Sequence, residues 1–208
     1  MSDKIITGTG GVGAERLPWH QIWLRAVTQP SLATYQQLIS LPDAASNRAY
    51  KWMAILGLLN YGVFLLAPDA HPYAGMLNLG APFDSSSNLK LLLCAPVFAF
   101  IPVLGLALSA VINHILAIIL GGEGEYEKLV FALGAFSAPL SLTNTVLAPV
   151  PCLNLLSLPL ALFNIVLGVI AVNAVYDIGW LKAVIVAAVP LAFILLLFAL
   201  GIGLLLFA

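Results

Sequence analysis

Polar and apolar positions separate into blocks along this chain. Residues 1 to 51 mix the two, with glycines, charges and tryptophans interspersed. From Trp52 the stretch "WMAILGLLNYGVFLLA" is almost wholly apolar. Two longer blocks follow, residues 91–122 and 129–176, and neither contains Asp, Glu, Lys or Arg. A helix that crosses about 30 Å of hydrocarbon needs roughly 20 apolar residues. The first span is therefore expected from Trp52 to about Ala67, borrowing Ala49 and Tyr50. The second lies within 91–122, where Pro96 and Pro102 kink the run or detach its start. The block 129–176 is long enough for two spans, divided at the "APVPC" hairpin of residues 148–152, whose prolines oppose helix continuation. The last span runs from about Lys182 to the C-terminus, with Pro190 as a kink. The expected architecture is all-α, a polytopic membrane helical bundle of five spans. A four-span bundle, with the short first segment lying in the interface, is the alternative.

The polar stretches show what joins and flanks these spans. In "LPWHQIWLRAVTQPSLATYQQLISLP", Trp19, Ile22, Trp23, Ala26 and Val27 recur at helical spacing, while His20, Gln21 and Arg25 fall elsewhere. Tryptophan favours the membrane interface. The pattern predicts an amphipathic helix ending near Gln29-Pro30, then a second short helix over 31–41. Its apolar face has two compatible destinations: the membrane surface, or the ends of the bundle itself. The chain thus divides into a polar tail over 1–17, an amphipathic arm over 18–48 and a membrane domain over 49–208.

A second polar island is "LGGEGEYEK", residues 120–128. Gly121 and Gly122 sit where the second span must end, and glycine permits the positive φ of a helix C-cap. Glu123, Glu125 and Glu127 enter lipid only at high cost, so they mark a loop. Those nearest the next helix favour its positive N-terminal end. Tyr126 suits the interface. The stretch reads as a helix-loop-helix connector, or as a loop that binds a partner or a cation, although i, i+2, i+4 spacing alone is weak support for a cation site.

Composition and charge sharpen this picture. The chain has 208 residues, 62% hydrophobic and only 8% charged. Soluble domains carry roughly 25% charged residues, so lipid must be the solvent for most of this chain. The net charge of -1 gives no field that selects nucleic acid. The start "MSDKIITGTGGVGAERLPWH" is polar and lacks the apolar run of a signal peptide; insertion is expected to be directed by a later span. Orientation follows the basic residues near span ends. Lys4, Arg16, Arg25, Arg48 and Lys51 precede the first span; Lys90, Lys128 and Lys182 lie in the first, second and fourth loops. A cytoplasmic N-terminus puts every one of these except Lys90 inside. It also places the glutamate loop inside and the C-terminus on the opposite side.

The order of features resembles a known family. A "W…QP…TY" juxtamembrane segment precedes the spans; the second span ends in "H…LGGEGEYEKL"; the third carries "FALGAFSAPL"; the fourth ends before "YDIGWLKAVIVAAVP". Over about residues 18–208 this is similar to the YIP-domain family, the Ypt/Rab-interacting integral membrane proteins, and its short arm and very apolar body look like the bacterial-type branch. The resemblance implies five spans, a cytoplasmic N-terminus and no catalytic site. For eukaryotic relatives it implies binding to small GTPases and work in vesicle traffic.

Other signals point to little chemistry. "GTGGVG" at 8–13 satisfies GxGxxG, but it lacks the strand, helix and acidic residue of a dinucleotide site. His20 and His71 are isolated, so no metal-ligand set is visible, and no constellation supports nucleophilic catalysis. No catalytic, cofactor or metal residue is therefore expected. Within the spans, His114 and Asn113 lie near the inner end of the second. An ionisable residue there is a functional candidate by default, against the plainer role of one interhelical hydrogen bond. Asn144, Asn164 and Asn173 are expected to bond between helices, or, with Ser137, Ser141, Thr143 and Thr145, to line a polar path. Gly105 and Ser109 read as a small-xxx-small packing site. Cys94 and Cys152 both fall at the outer face, where a bridge would need α-carbons within roughly 7 Å; free cysteines are the alternative. The candidate interaction surface is Trp19, Trp23, Arg25, Glu123, Glu125, Tyr126 and Glu127. The functional expectation is a non-enzymatic membrane scaffold or adaptor with a protein partner. An accessory subunit of a larger membrane complex, a homo-oligomer, or a small channel or carrier are the alternatives.

Overall fold

The computed structural model describes residues 17–66, 85–147, 153, 155–190 and 192. The helices are α1 (Trp19–Thr28), α2 (Leu32–Ile39), α3 (Ser46–Leu66), α4 (Ser85–Ile119), α5 (Tyr126–Leu147) and α6 (Ser157–Tyr176), then α7 (Trp180–Pro190). No strand occurs among the described residues. The 148–152 hairpin, the tail over 1–16 and the end of the last expected span lie outside the described residues, as do Cys152, His71 and the side chain of Cys94.

The arm breaks where its prolines dictate. Pro18 stands immediately before α1, and Pro30 separates α1 from α2. Ser31 then caps α2, its hydroxyl accepting from the Thr34 N–H at 3.1 Å, which satisfies one of the free donors of the first turn.

Three helices are long and apolar enough to cross a membrane: Ala99–Ile119 within α4, then α5 and α6. Five spans were expected. Of the other two segments, α3 carries Arg48 and Lys51 in its first turns, and the described part of α7, Trp180–Pro190, is a shorter apolar helix. α3 is nonetheless part of the bundle, packed along α4 and α5. α4 runs through Pro96 and Pro102 without ending.

α5 forms the centre. From Leu129 to Phe136 every residue is buried, so no side of this half faces outward. Its neighbours are α3, α4, α6 and both arm helices. Between membrane helices, tight packing by small residues replaces the hydrophobic drive of water, and α5 supplies Ala132, Gly134, Ala135 and Ala138 in its buried part. A Cβ added at Gly134 would lie 2.5 Å from the Ala49 Cβ of α3. α6 is likewise buried without a break from Leu167 to Ala174, against α5 and α2.

The amphipathic face of the arm seats on this bundle. Ile22 and Ala26 of α1, and Tyr35 and Leu38 of α2, are at most 2% exposed. α1 lies on α5, and α2 on α6 and α5. Leu24, on the other side of α1, remains exposed, and Trp19, at the start of the inward stripe, is half exposed.

Candidate interaction surface

One end of the bundle gathers the arm, the start of α3, the 120–125 turn between α4 and α5, and the 177–179 turn between α6 and α7. Each piece is held by identifiable contacts.

The arm is held first by aromatic packing. Trp19 meets Trp23 edge-on at 4.7 Å between ring centroids, Trp23 meets Trp52 of α3 at 5.8 Å, and Trp52 meets Phe131 of α5 at 5.7 Å. The series runs from the half-exposed Trp19 to the fully buried Phe131. Arg48 adds a clamp. Its guanidinium lies 5.4 Å from the Trp52 ring centroid, pairs with Asp43, and donates to the Leu17 carbonyl at 2.7 Å. One side chain thereby joins α3, the 40–45 connection and the start of the arm. The Tyr35 hydroxyl donates to the Ala26 carbonyl at 3.2 Å, linking α2 to α1. Burial pushes the Tyr35 hydroxyl pKa far above the ordinary tyrosine value, so this donor keeps its proton.

The turn after α4 is equally constrained. Gly121 takes φ +89°, and the N–H groups of Gly121 and Gly122 return to the carbonyls of Ile118 and Ala117, closing the helix as a left-handed cap does. Gly122 serves a different need: a Cβ there would lie 2.8 Å from both Ile178 and Tyr176 side-chain atoms. At Gly124 a Cβ would lie 2.5 Å from the Val175 carbonyl oxygen. The turn is thus pressed onto the end of α6. Across from it Asp177 takes φ 50° and Gly179 φ +81°. Asn173 organises this second turn, its backbone carbonyl accepting from Asp177 N–H at 2.9 Å and its side-chain Oδ1 from Gly179 N–H at 3.0 Å. Lys182 of α7 donates to the Leu120 carbonyl at 2.9 Å, which ties the two turns together.

Behind the turns lies a polar cluster. His114 Nδ1 hydrogen-bonds the Tyr176 hydroxyl. The His114 ring packs 5.6 Å from Tyr126, and the Tyr126 and Tyr50 hydroxyls are 3.0 Å apart. The cluster joins α3, α4, α5 and α6; Tyr50, His114 and Tyr126 are partly buried and Tyr176 is buried. Next to it Asn113 is buried, and its Oδ1 has no hydrogen-bond partner among the described residues.

The expected surface residues are placed unevenly. Trp23 sits in the aromatic series, and Trp19 is 52% exposed. Arg25 is exposed and, among the described residues, joins no ion pair with the glutamates; the pairs there are Arg48 with Asp43 and Lys128 with Glu125. Glu123, Glu125 and Glu127 are exposed, while Tyr126 is half-buried against Tyr50. Of the asparagines, Asn173 bonds within its own turn, Asn144 is exposed and Asn164 half-buried.

The arm and the glutamate turn do meet, through α2. Gln36, Ile39 and Ser40 line one wall of a cleft of about 310 Å³, and Glu123, Gly124, Glu125, Lys128 and Val175 line the rest. The sequence pattern marked the glutamates but not Gln36, Ser40 or Val175. The signal that existed was the helical phase of α2: once Tyr35 and Leu38 face inward, Gln36 and Ile39 must flank them.

Among families, the model described as the Yip1 domain matches residues 25–201. No curated protein and no solved structure matches the chain.

Proposed function

Because the chain belongs to the Yip1 domain family of membrane proteins, we propose that it is a non-enzymatic scaffold that docks a partner protein at the arm-and-turn end of the bundle. In this reading the chain spans the membrane five times, with α3 and the segment beginning at α7 completing the set. The N-terminus and the arm-and-turn end are cytoplasmic, as the basic residues favour, and the C-terminus is outside.

The observation that carries the reading is the cleft shared by α2 and the 120–128 segment. Two elements far apart in sequence converge there to present polar groups of both charge signs on a braced surface. A connector that merely turned the chain would not need the close fit of Gly122 and Gly124 against α6.

The alternative, an accessory subunit packed against a larger membrane complex, draws on the outward face of α4. Leu104 and Leu108 are more than half exposed there, and Gly105 has open space where a Cβ would stand. Site-specific photo-crosslinking in the native membrane separates the two. A crosslinker at Gln36 should trap one recurring soluble protein, and a crosslinker at Leu108 should trap none. Adducts at Leu108 to other membrane subunits, with nothing at Gln36, would replace the scaffold reading by the subunit reading.

A further inference from the structure

We propose that the cleft between α2 and the 120–125 turn receives an arginine side chain from the partner polypeptide. The inference rests on the reading of this end as a docking face and names the chemistry of its occupant.

The walls of the cleft differ in kind. Ile39 on the arm and Val175 on α6 supply aliphatic surface, and Gln36 and Ser40 add an amide and a hydroxyl. Two carboxylates, Glu123 and Glu125, and one ammonium, Lys128, complete it. The charges are not balanced. Lys128 pairs with Glu125 at 3.0 Å, which leaves Glu123 with no ion-pair partner among the described residues. A cation entering the cleft meets one free carboxylate and a second that is already shared.

Shape narrows the choice of cation. A volume of about 310 Å³ admits one long side chain. Such a side chain would lay its methylene stem on Ile39 and Val175 and carry its charge to the carboxylates. A planar guanidinium matches a carboxylate through two parallel hydrogen bonds and leaves further N–H groups for the Gln36 and Ser40 oxygens. An ammonium offers no such fork and keeps its water more tightly.

The walls are also fixed before anything binds. Gly124 has no room to retreat towards Val175, and α2 is anchored by the buried Tyr35 and Leu38. Little ordering is then lost on binding, which favours a weak but specific contact.

The test uses the full chain in nanodiscs of neutral phosphatidylcholine and a fluorescein-labelled peptide, Gly-Ser-Arg-Ser-Gly, followed by anisotropy. The comparison peptides carry lysine or citrulline in place of arginine. The arginine peptide should bind about threefold tighter than the citrulline peptide, the scale of an exposed charge pair. Glu123→Gln should abolish that preference, and Glu123→Asp should keep part of it. Lys128→Gln, by releasing Glu125, should strengthen arginine binding. Equal binding of arginine and citrulline peptides, an undiminished preference in Glu123→Gln, or a lysine peptide that binds as tightly as arginine would each overturn the assignment. If the Gln36 crosslink survives while the peptides show no preference, the docking face stands and the arginine falls. If both vanish, the docking face falls too.

Discussion

Gly134 of α5 lies so close to Ala49 of α3 that a methyl group on its α-carbon would sit 2.5 Å from the Ala49 methyl. Real carbon atoms do not approach so closely, so the two helices would have to separate. Gly134→Ala is expected to destabilise the bundle by about 1–3 kcal/mol, the usual cost of overpacking. Gly105→Ala is the contrasting case. Its added Cβ meets nothing within 4 Å, and alanine is the better helix former. Thermal unfolding in detergent should therefore show a lower midpoint for the first variant and an unchanged or higher one for the second.

Arg48 is expected to be the polar residue on which arm docking depends most. It reaches Asp43, the Leu17 carbonyl and the Trp52 ring at once. Arg48→Ala should expose the 17–45 region to protease. Arg48→Lys should rescue it only in part, because an ammonium cannot make the same fork of hydrogen bonds. Full protection in Arg48→Ala would show that apolar packing alone holds the arm.

The aromatic series leads to an unequal double mutant. Replacing Trp19 and Trp23 together by alanine should release the arm, with most of the effect from Trp23, which touches Trp52. Trp19 is half exposed and should contribute less. Neutralising Glu123, Glu125 and Glu127 should change protease protection only slightly, since exposed pairs are worth about 0–1 kcal/mol and Arg25 makes none with them. Limited proteolysis of the variants in parallel would order these contributions.

Tyr35→Phe should weaken arm docking by about 0.5–1.5 kcal/mol, the net value of one hydrogen bond, here to the Ala26 carbonyl. The folded-state pKa of Tyr35 is raised. Its contribution is therefore constant below the ordinary tyrosine value near pH 10 and declines as pH rises above it. Hydrogen exchange of α1 amides in parent and variant, across neutral and alkaline pH, would read both effects.

Topology can be read at two positions. A reporter fused after Ala208 should lie outside the cytoplasm, and a cysteine at Glu125 should react only with reagents delivered from the cytoplasmic side. Glu125 is the better probe than Gly124, which is wedged against Val175. Finding both positions on the same side would exclude five spans.

Local features of this fold were legible before its tertiary ones. Gln29-Pro30 marks the break between the arm helices through the backbone chemistry of proline, and the glutamates with Gly121 mark the turn after α4. The arm's destination was not legible. An amphipathic stripe looks the same whether it meets lipid or protein, because both accept apolar side chains. The reading of Tyr126 as an interface residue missed its hydroxyl contact with Tyr50, and nothing near His114 in the chain points to Tyr176. Such pairings depend on where helices cross, and they leave no trace in local spacing. The same holds for the cleft, whose wall on α2 became visible only with α2 seated on α5 and α6.

The burial of α5 on every side between Leu129 and Phe136 has a consequence for biosynthesis. The arm leaves the ribosome before α5 and α6, but its seat on them is finished only when residues near Tyr176 have been made. Until then the arm's apolar stripe needs a temporary host, and the membrane interface is the nearest. Ile22, Ala26, Tyr35 and Leu38 would thus change neighbours during assembly, from lipid to protein. A chain released before α6 should leave its arm undocked, and a ribosome stalled at successive lengths would date the moment of closure.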